Sequence, residues 1–225
     1  MTLVLVVLEI YPKKDHSGGN SELKSKINDL LVYGSSVDGV PGLTNNLVDG
    51  DKFSVGSLQF TARFTPGHTV GHAVYVLDGN PYQCPGHVFT GDLLFVAGSG
   101  RMFECSASTM LRSLDIVSQL SDDTLMWPGH EYAQNNLTFV QHIEPDNEKV
   151  KEKLDWVNEQ RKERKMTIPS TLKEEKEYNP FLRTHSPSIL EIVGLKIDED
   201  DDKDAIRAKV LQELRIRKDK YSYKL

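Results

Sequence analysis

Thiols are scarce in this sequence. Cys84 and Cys105 are the only cysteines in 225 residues, and their spacing fits no thiolate metal motif. That argues against a disulfide-stapled scaffold or a cysteine-built zinc site, and makes a reducing intracellular setting, cytoplasmic or mitochondrial, the expectation. Long apolar runs are missing as well. No stretch approaches the roughly 20 residues that span a bilayer, so the sequence reads as soluble. The opening Thr2–Leu8 stretch is apolar but about one strand long. It has neither a basic leader nor a small-residue cleavage site, so it reads as a buried strand rather than a signal peptide. Positive charge is not in excess either. A net charge of −6 argues against nucleic acid or an anionic membrane as partner, while leaving room for a local basic pocket that holds an anionic small molecule.

What is present is enough for a core. With 38% apolar residues, the chain can form one large domain, or a medium and a small one. Short apolar runs broken by Gly, Pro and Asp dominate the first half. Val32-Tyr33, Lys52–Val55, Leu58–Phe64, Ala73–Leu77, His87–Thr90 and Thr124–Trp127 read as strands. Ser21–Leu31 carries a weak helical pattern. Thr109–Leu120 reads as a helix, with Met110, Leu111, Leu114, Val117 and Leu120 at helical spacing and Ser108 as its N-cap. Strands mixed with helices imply a layered α/β domain. After about Glu131 the character changes. A charged helix is expected over Glu144–Lys165, then a loop-rich connection punctuated by Pro169, Pro180 and Pro187, then a helix over Asp204–Lys220. The acidic run Asp198–Asp202 lacks the turn glycine and closing glutamate of a calcium loop, and reads as a solvated loop before a helix N-terminus.

Four clusters of metal-ligand side chains stand in turns, most of them just after apolar runs: Asp15-His16, His68 in TPGHTVGH, Asp92 in FTGD, and His130 in WPGHEY. Loops leaving strand ends are where a layered sheet gathers functional groups from distant sequence. Imidazole and carboxylate together suit zinc, iron or manganese, and a carboxylate can bridge two ions. A Gly-His pair in a turn is by itself more often structural. His72 reads as a packing or supporting histidine, and His87, His142 and His185 as surface or core residues. Four clusters in this order outweigh the structural reading taken singly.

These segments resemble the ordered motifs of the metallo-β-lactamase superfamily, and within it the glyoxalase II (hydroxyacylglutathione hydrolase) branch. DHSGGN at 15–20, LFVAGSGRMFE at 94–104, and PSTL and EYNPF across 169–181 carry the same resemblance. It implies a metallo-β-lactamase αββα sandwich lacking its first strands over 1–131, and a C-terminal helical substrate-binding domain over 132–225. It implies a Zn2+ (or Fe2+) centre that hydrolyses glutathione thioesters of the S-lactoylglutathione kind, with Asp15 and Asp92 catalytic and Asp15, His16, His68, Asp92 and His130 as metal ligands. By position it also assigns glutathione contacts to Arg101, Phe103, Tyr132, Arg215 and Lys218. Without the family, Arg215 and Lys218 read as an ordinary solvated helix face.

The family motif T-H-x-H-x-D-H falls on Ile10–His16, where its two leading histidines become Tyr11 and Lys13. One metal position therefore keeps all of Asp15, His16, Asp92 and His130. The other keeps only His68 and Asp92, with an ammonium aimed at it that would repel a cation. At most one ion is fully ligated, and reduced thioesterase activity is expected. Phe103 also lacks the hydroxyl of the tyrosine it replaces. A non-catalytic binding protein on the same fold is the main rival; a single-iron sulfur dioxygenase is a weaker one, since it needs a missing leading histidine. The resemblance begins near Asp15, so the first 14 residues read as the product of a different start or splice.

Overall fold

The computed structural model describes residues 16–221. The strand expected over Thr2–Leu8, together with Tyr11, Lys13 and Asp15, lies outside the described residues.

Alternating apolar residues give the central sheet. Its strands are β3 (Lys52–Val55), β4 (Leu58–Phe64), β5 (Ala73–Leu77), β6 (His87–Gly91), β9 (Leu125–Pro128) and β10 (Ser170-Thr171), in the order β10-β9-β6-β5-β4-β3. Pairing is antiparallel except between β6 and β9, which run parallel. One face presents Val74, Val88 and Met126 to α2 (Ala107–Ser118) and to the later helices, forming the main core. The other face carries Phe53, Phe60 and Tyr75, with Tyr33 stacked on Phe53 at 4.7 Å between centroids and Phe53 on Phe60 at 5.4 Å. Aromatic and β-branched side chains suit such a pleated, half-buried surface. Two two-stranded pairs complete the strands: β1 (Tyr33-Gly34) with β2 (Asn45-Asn46), and the hairpin β7 (Leu94-Phe95) with β8 (Gly98-Ser99).

The strand readings hold to within a residue or two, whereas the helices need correction. α1 covers Asn20–Lys26 and stops there because Ile27 is extended; Leu30 turns away into a small cluster with Val32 and Val40. Ser106, not Ser108, caps α2, its hydroxyl accepting the Thr109 N–H, while Ser108 sits inside the first turn. Glu144 is not helical. Its carboxylate takes both Nη groups of Arg183, at 2.6 and 2.9 Å, and the charged helix α4 (Glu148–Lys162) starts at Asn147, whose side chain caps it. Two helices occupy what reads as a loop-rich connection: α5 (Leu172–Tyr178), begun by a capping box of Thr171 and Glu174, and α6 (Pro187–Val193), with Pro187 in the first turn and Gly194 closing it in the left-handed region. α3 (Ala133–Ile143) was not anticipated either. The last helix, α7, covers Lys203–Lys220 with Asp202 as N-cap, so the acidic run leads into a helix N-terminus as expected. No helix among the described residues is long and apolar enough to cross a membrane.

Candidate metal centre and anion pocket

The topology brings the ligand clusters to one edge of the sheet. β6 and β9 are parallel neighbours, so Asp92 and His130, just past their C-terminal ends, emerge side by side. β4 runs against β5, and their connection, Thr65–His72, returns to the same edge with His68. Asp38 anchors this connection, accepting the Thr69 hydroxyl and the Gly71 N–H at 2.7 Å each, and Glu104 accepts the Val70 N–H at 2.9 Å. His16 enters from the turn before α1. Gly129 shows how tight the assembly is: a Cβ there would lie 2.6 Å from Asp92 Oδ1.

Three imidazole Nε2 atoms converge on one carboxylate oxygen. His16, His130 and His68 place Nε2 at 3.3, 3.5 and 3.6 Å from Asp92 Oδ2, and the His16 and His130 Nε2 atoms are 3.1 Å apart. Burial alone would raise the Asp92 carboxyl, but a hydrogen bond with His16 and the surrounding His130, His16 and His68 rings hold it below its ordinary value. Asp92 Oδ1 is buried and has no hydrogen-bond partner among the described residues. A buried acceptor left in this state is costly unless something else binds it. Donor atoms of His16, Asp92 and His130 all lie within 4.8 Å of one another. Imidazole lone pairs and a carboxylate converging with a spare oxygen fit a divalent ion.

The supporting contacts set the ring orientations. His68 Nδ1 lies 2.8 Å from the Arg101 carbonyl, so Nδ1 donates there and Nε2 is turned towards Asp92. His72 is fully buried, its Nδ1 2.8 Å from the Thr65 hydroxyl. Burial, with the neighbouring His68, pushes its pKa down to about 3, so it stays neutral. His87 is remote from this corner and accepts the Trp127 indole N–H at 3.0 Å.

A cavity of about 380 Å³ opens from this corner, with His68, Asp92 and His130 at one end and Arg101, Arg215 and Lys218 at the other. Phe103 and Tyr132 form walls, Phe103 edge-on to His68 at 4.9 Å and Tyr132 stacked on His130 at 5.0 Å. The cavity thus gathers every substrate contact expected from the sequence. The cations are already engaged within the protein. Asp219 Oδ1 accepts Arg101 Nε at 3.0 Å and Arg215 Nη2 at 3.1 Å, and the Ser99 carbonyl accepts Arg215 Nη1 at 2.7 Å. Lys218 donates to the carbonyl and side-chain oxygens of Asn135 at 3.2 and 2.5 Å. Burial, then the adjacent Arg215 charge, lower its pKa to about 7, with Asp219 opposing. Sequence reasoning missed Asp219 and Asn135. The one available signal was the i,i+4 spacing of Asp219 from Arg215 on α7.

Residues 131–221 match the family described as the hydroxyacylglutathione hydrolase C-terminus. The cytoplasmic hydroxyacylglutathione hydrolase of Arabidopsis thaliana is 44% identical over 192 residues, covering 84% of this chain and 74% of that one. Among solved structures, ETHE1 from Myxococcus xanthus superposes with a TM-score of 0.57 at 26% identity, covering 93% of this chain and 77% of that one. A metallo-β-lactamase from Staphylococcus aureus shares the fold, with a TM-score of 0.52 at 23% identity over 86% of this chain and 53% of that one. The chain belongs to the hydroxyacylglutathione hydrolase, or glyoxalase II, family, and it shares its fold with a metallo-β-lactamase.

Proposed function

We propose that the chain is a metal-dependent hydrolase of hydroxyacylglutathione thioesters, of the S-lactoylglutathione kind, with turnover limited by a half-complete metal centre. The observation that carries this reading is the pairing of a His-Asp-His corner with a cationic end in one cavity. A thioester of glutathione needs both: a reacting carbonyl at one end, and carboxylates to hold at the other.

Asp15, His16, Asp92 and His130 would hold one zinc or iron ion, while His68 with Asp92 is what remains of a second position. When bound, such an ion lowers the pKa of water from about 15.7 towards 7. The protein's own side chains do the rest. Asp92 and Asp15 are assigned the catalytic roles, and Asp92 Oδ1, with no partner among the described residues, is available to a cation. Arg101, Arg215 and Lys218 receive the substrate carboxylates, which must displace Asp219 and Asn135 from the same donors. An arginine fork suits that exchange because it grips a carboxylate through two parallel bonds. Phe103 and Tyr132 exclude water along the thioester. The division at residue 131/132 between metal domain and substrate-binding helices belongs to the same proposal.

Tyr11, Lys13 and Phe103 favour a second reading, a binding protein that keeps the cavity but not the chemistry. Hydrolysis of S-lactoylglutathione, with metal content measured on the same sample, separates the two. The hydrolase reading expects slow turnover that a chelator abolishes. Tight glutathione binding with no turnover in metal-loaded protein would select the binding reading.

A further inference from the structure

Beside the metal end of the cavity, three chain segments meet in one junction. The first is the connection between β4 and β5 that carries His68. The second is the loop between β1 and β2, from which Asp38 accepts the Thr69 hydroxyl and the Gly71 N–H, both at 2.7 Å. The third leads from β8 into α2: Glu104 accepts the Val70 N–H at 2.9 Å, and Cys105 Sγ lies 3.7 Å from the Thr69 carbonyl. The approach is close, since a Cβ on Gly71 would collide with the Asp38 carboxylate and lie 2.9 Å from the Asp38 nitrogen. α2 holds the same connection: the Ser113 hydroxyl donates to the Pro66 carbonyl at 2.6 Å, and a Cβ on Gly67 would collide with Met110 Sδ. Side chains from three separate segments thus fix this stretch of backbone.

Three apolar side chains stand exposed at this junction. Val37 is 62% exposed, Phe103 49% and Val70 48%. Each is tied to a clamping contact: Val37 precedes Asp38, Val70 is held through its own N–H, and Phe103 precedes Glu104. Exposed valines scattered singly are ordinary. A set gathered at one fixed junction beside a cavity is not, because clustered apolar surface at a pocket marks where a ligand is bound. Phe103 joins the set to the cavity. It is one of the cavity's walls, and its ring meets His68 edge-on at 4.9 Å.

A thioester runs in two directions from its reacting carbonyl. With the carbonyl at the histidine corner and the glutathione carboxylates at Arg101, Arg215 and Lys218, the sulfur side occupies the length of the cavity. The acyl group leaves the carbonyl away from that cationic end. The surface there is the His68 connection, with Val70 two residues past His68 and Phe103 against its ring. We propose that Val37, Val70 and Phe103 form an apolar acyl subsite, so that the chain favours thioesters carrying a hydrocarbon acyl chain over the short hydroxyacyl of S-lactoylglutathione. The inference rests on the glutathione-thioester reading of the cavity and adds the class of acyl group to it.

Calorimetry of the full chain with S-methylglutathione and S-hexylglutathione tests the subsite without depending on turnover. A methylene fully withdrawn from water is worth about fourfold in affinity, so partial burial of the longer chain should make the hexyl compound bind about tenfold tighter or more. Val37→Ser combined with Val70→Ser should cut that advantage to about threefold or less, with thermal unfolding to establish folding. Exposed positions of this kind tolerate substitution; should the double variant not fold, Val70→Ser alone decides. Val70→Leu keeps the apolar surface and should preserve the advantage. Equal affinity of wild type for the two compounds would overturn the inference. So would an advantage that survives the serine substitutions, since the hydrocarbon would then be bound elsewhere. If neither compound binds, the glutathione reading of the cavity fails and the subsite falls with it. In metal-loaded protein, kcat/KM should be higher for S-hexanoylglutathione than for S-lactoylglutathione, and the serine variants should narrow that ratio. A ratio below one in wild type would overturn the preference, and for a binder without turnover the calorimetry decides alone.

Discussion

The two ends of the cavity are built on opposite plans. At the histidine end, three imidazole Nε2 atoms converge on Asp92 Oδ2 while Oδ1 has no partner among the described residues. At the cationic end, Arg101, Arg215 and Lys218 already have partners in Asp219, Ser99 and Asn135. The first arrangement is completed by a ligand. The second is a prepaired site whose ligand must replace existing contacts. Loss of function should therefore differ in kind at the two ends: occupancy at one, affinity at the other.

The largest effect is expected at the histidine end. His130→Ala or Asp92→Asn should lower metal affinity more than about a hundredfold, exceeding the loss typical of a supporting contact, with equilibrium dialysis as the check. Retained metal in both variants would break the distinction between the ends. Arg215→Ala should leave metal content intact but raise KM. Truncating one partner of a buried, hydrogen-bonded charge pair costs about 2–5 kcal/mol, so a KM increase of at least tenfold is expected. Because Arg215 also holds the Ser99 carbonyl, Asp219→Asn serves as the sharper companion: it removes the competitor and should not raise KM.

A pH dependence follows from Lys218. Its pKa in the free protein is about 7, and a bound carboxylate favours the ammonium and raises it. Binding therefore takes up a proton above pH 7, and affinity for glutathione should fall as pH rises from 7 towards 9. Calorimetry in buffers of different ionisation enthalpy measures that uptake directly. No uptake at pH 8 would remove Lys218 from the binding end. The smallest effect is expected from Phe103→Tyr. A restored hydroxyl adds one hydrogen bond of about 0.5–1.5 kcal/mol, lowering KM a few-fold without changing metal content.

The histidine end was legible in the sequence because each ligand follows a strand with a clear apolar pattern, or stands in a Gly-rich turn. His68, Asp92 and His130 needed only the assumption that strand ends gather at one edge. The cationic end was legible only by resemblance, since Arg215 and Lys218 on a helix look like any solvated pair, and Asp219 and Asn135 have no signature at all. α5 and α6 were hidden by the surrounding prolines, although the Thr171–Glu174 capping box was in plain view. α3 has an Asn pair in its first turn and holds β-branched residues, so its helical period is weak, and tertiary packing of Leu137 and Val140 decides it. The roles of Asp38 and Glu104 could not have been found: in sequence they are two acids among many, and only the fold shows them clasping the backbone beside His68.

The central claim is a metal centre that is complete on one side only. Elemental analysis of the purified full chain, together with its rate on S-lactoylglutathione, tests it most directly. One ion per chain and slow, chelator-sensitive turnover are expected. Two ions per chain with rapid turnover would contradict it.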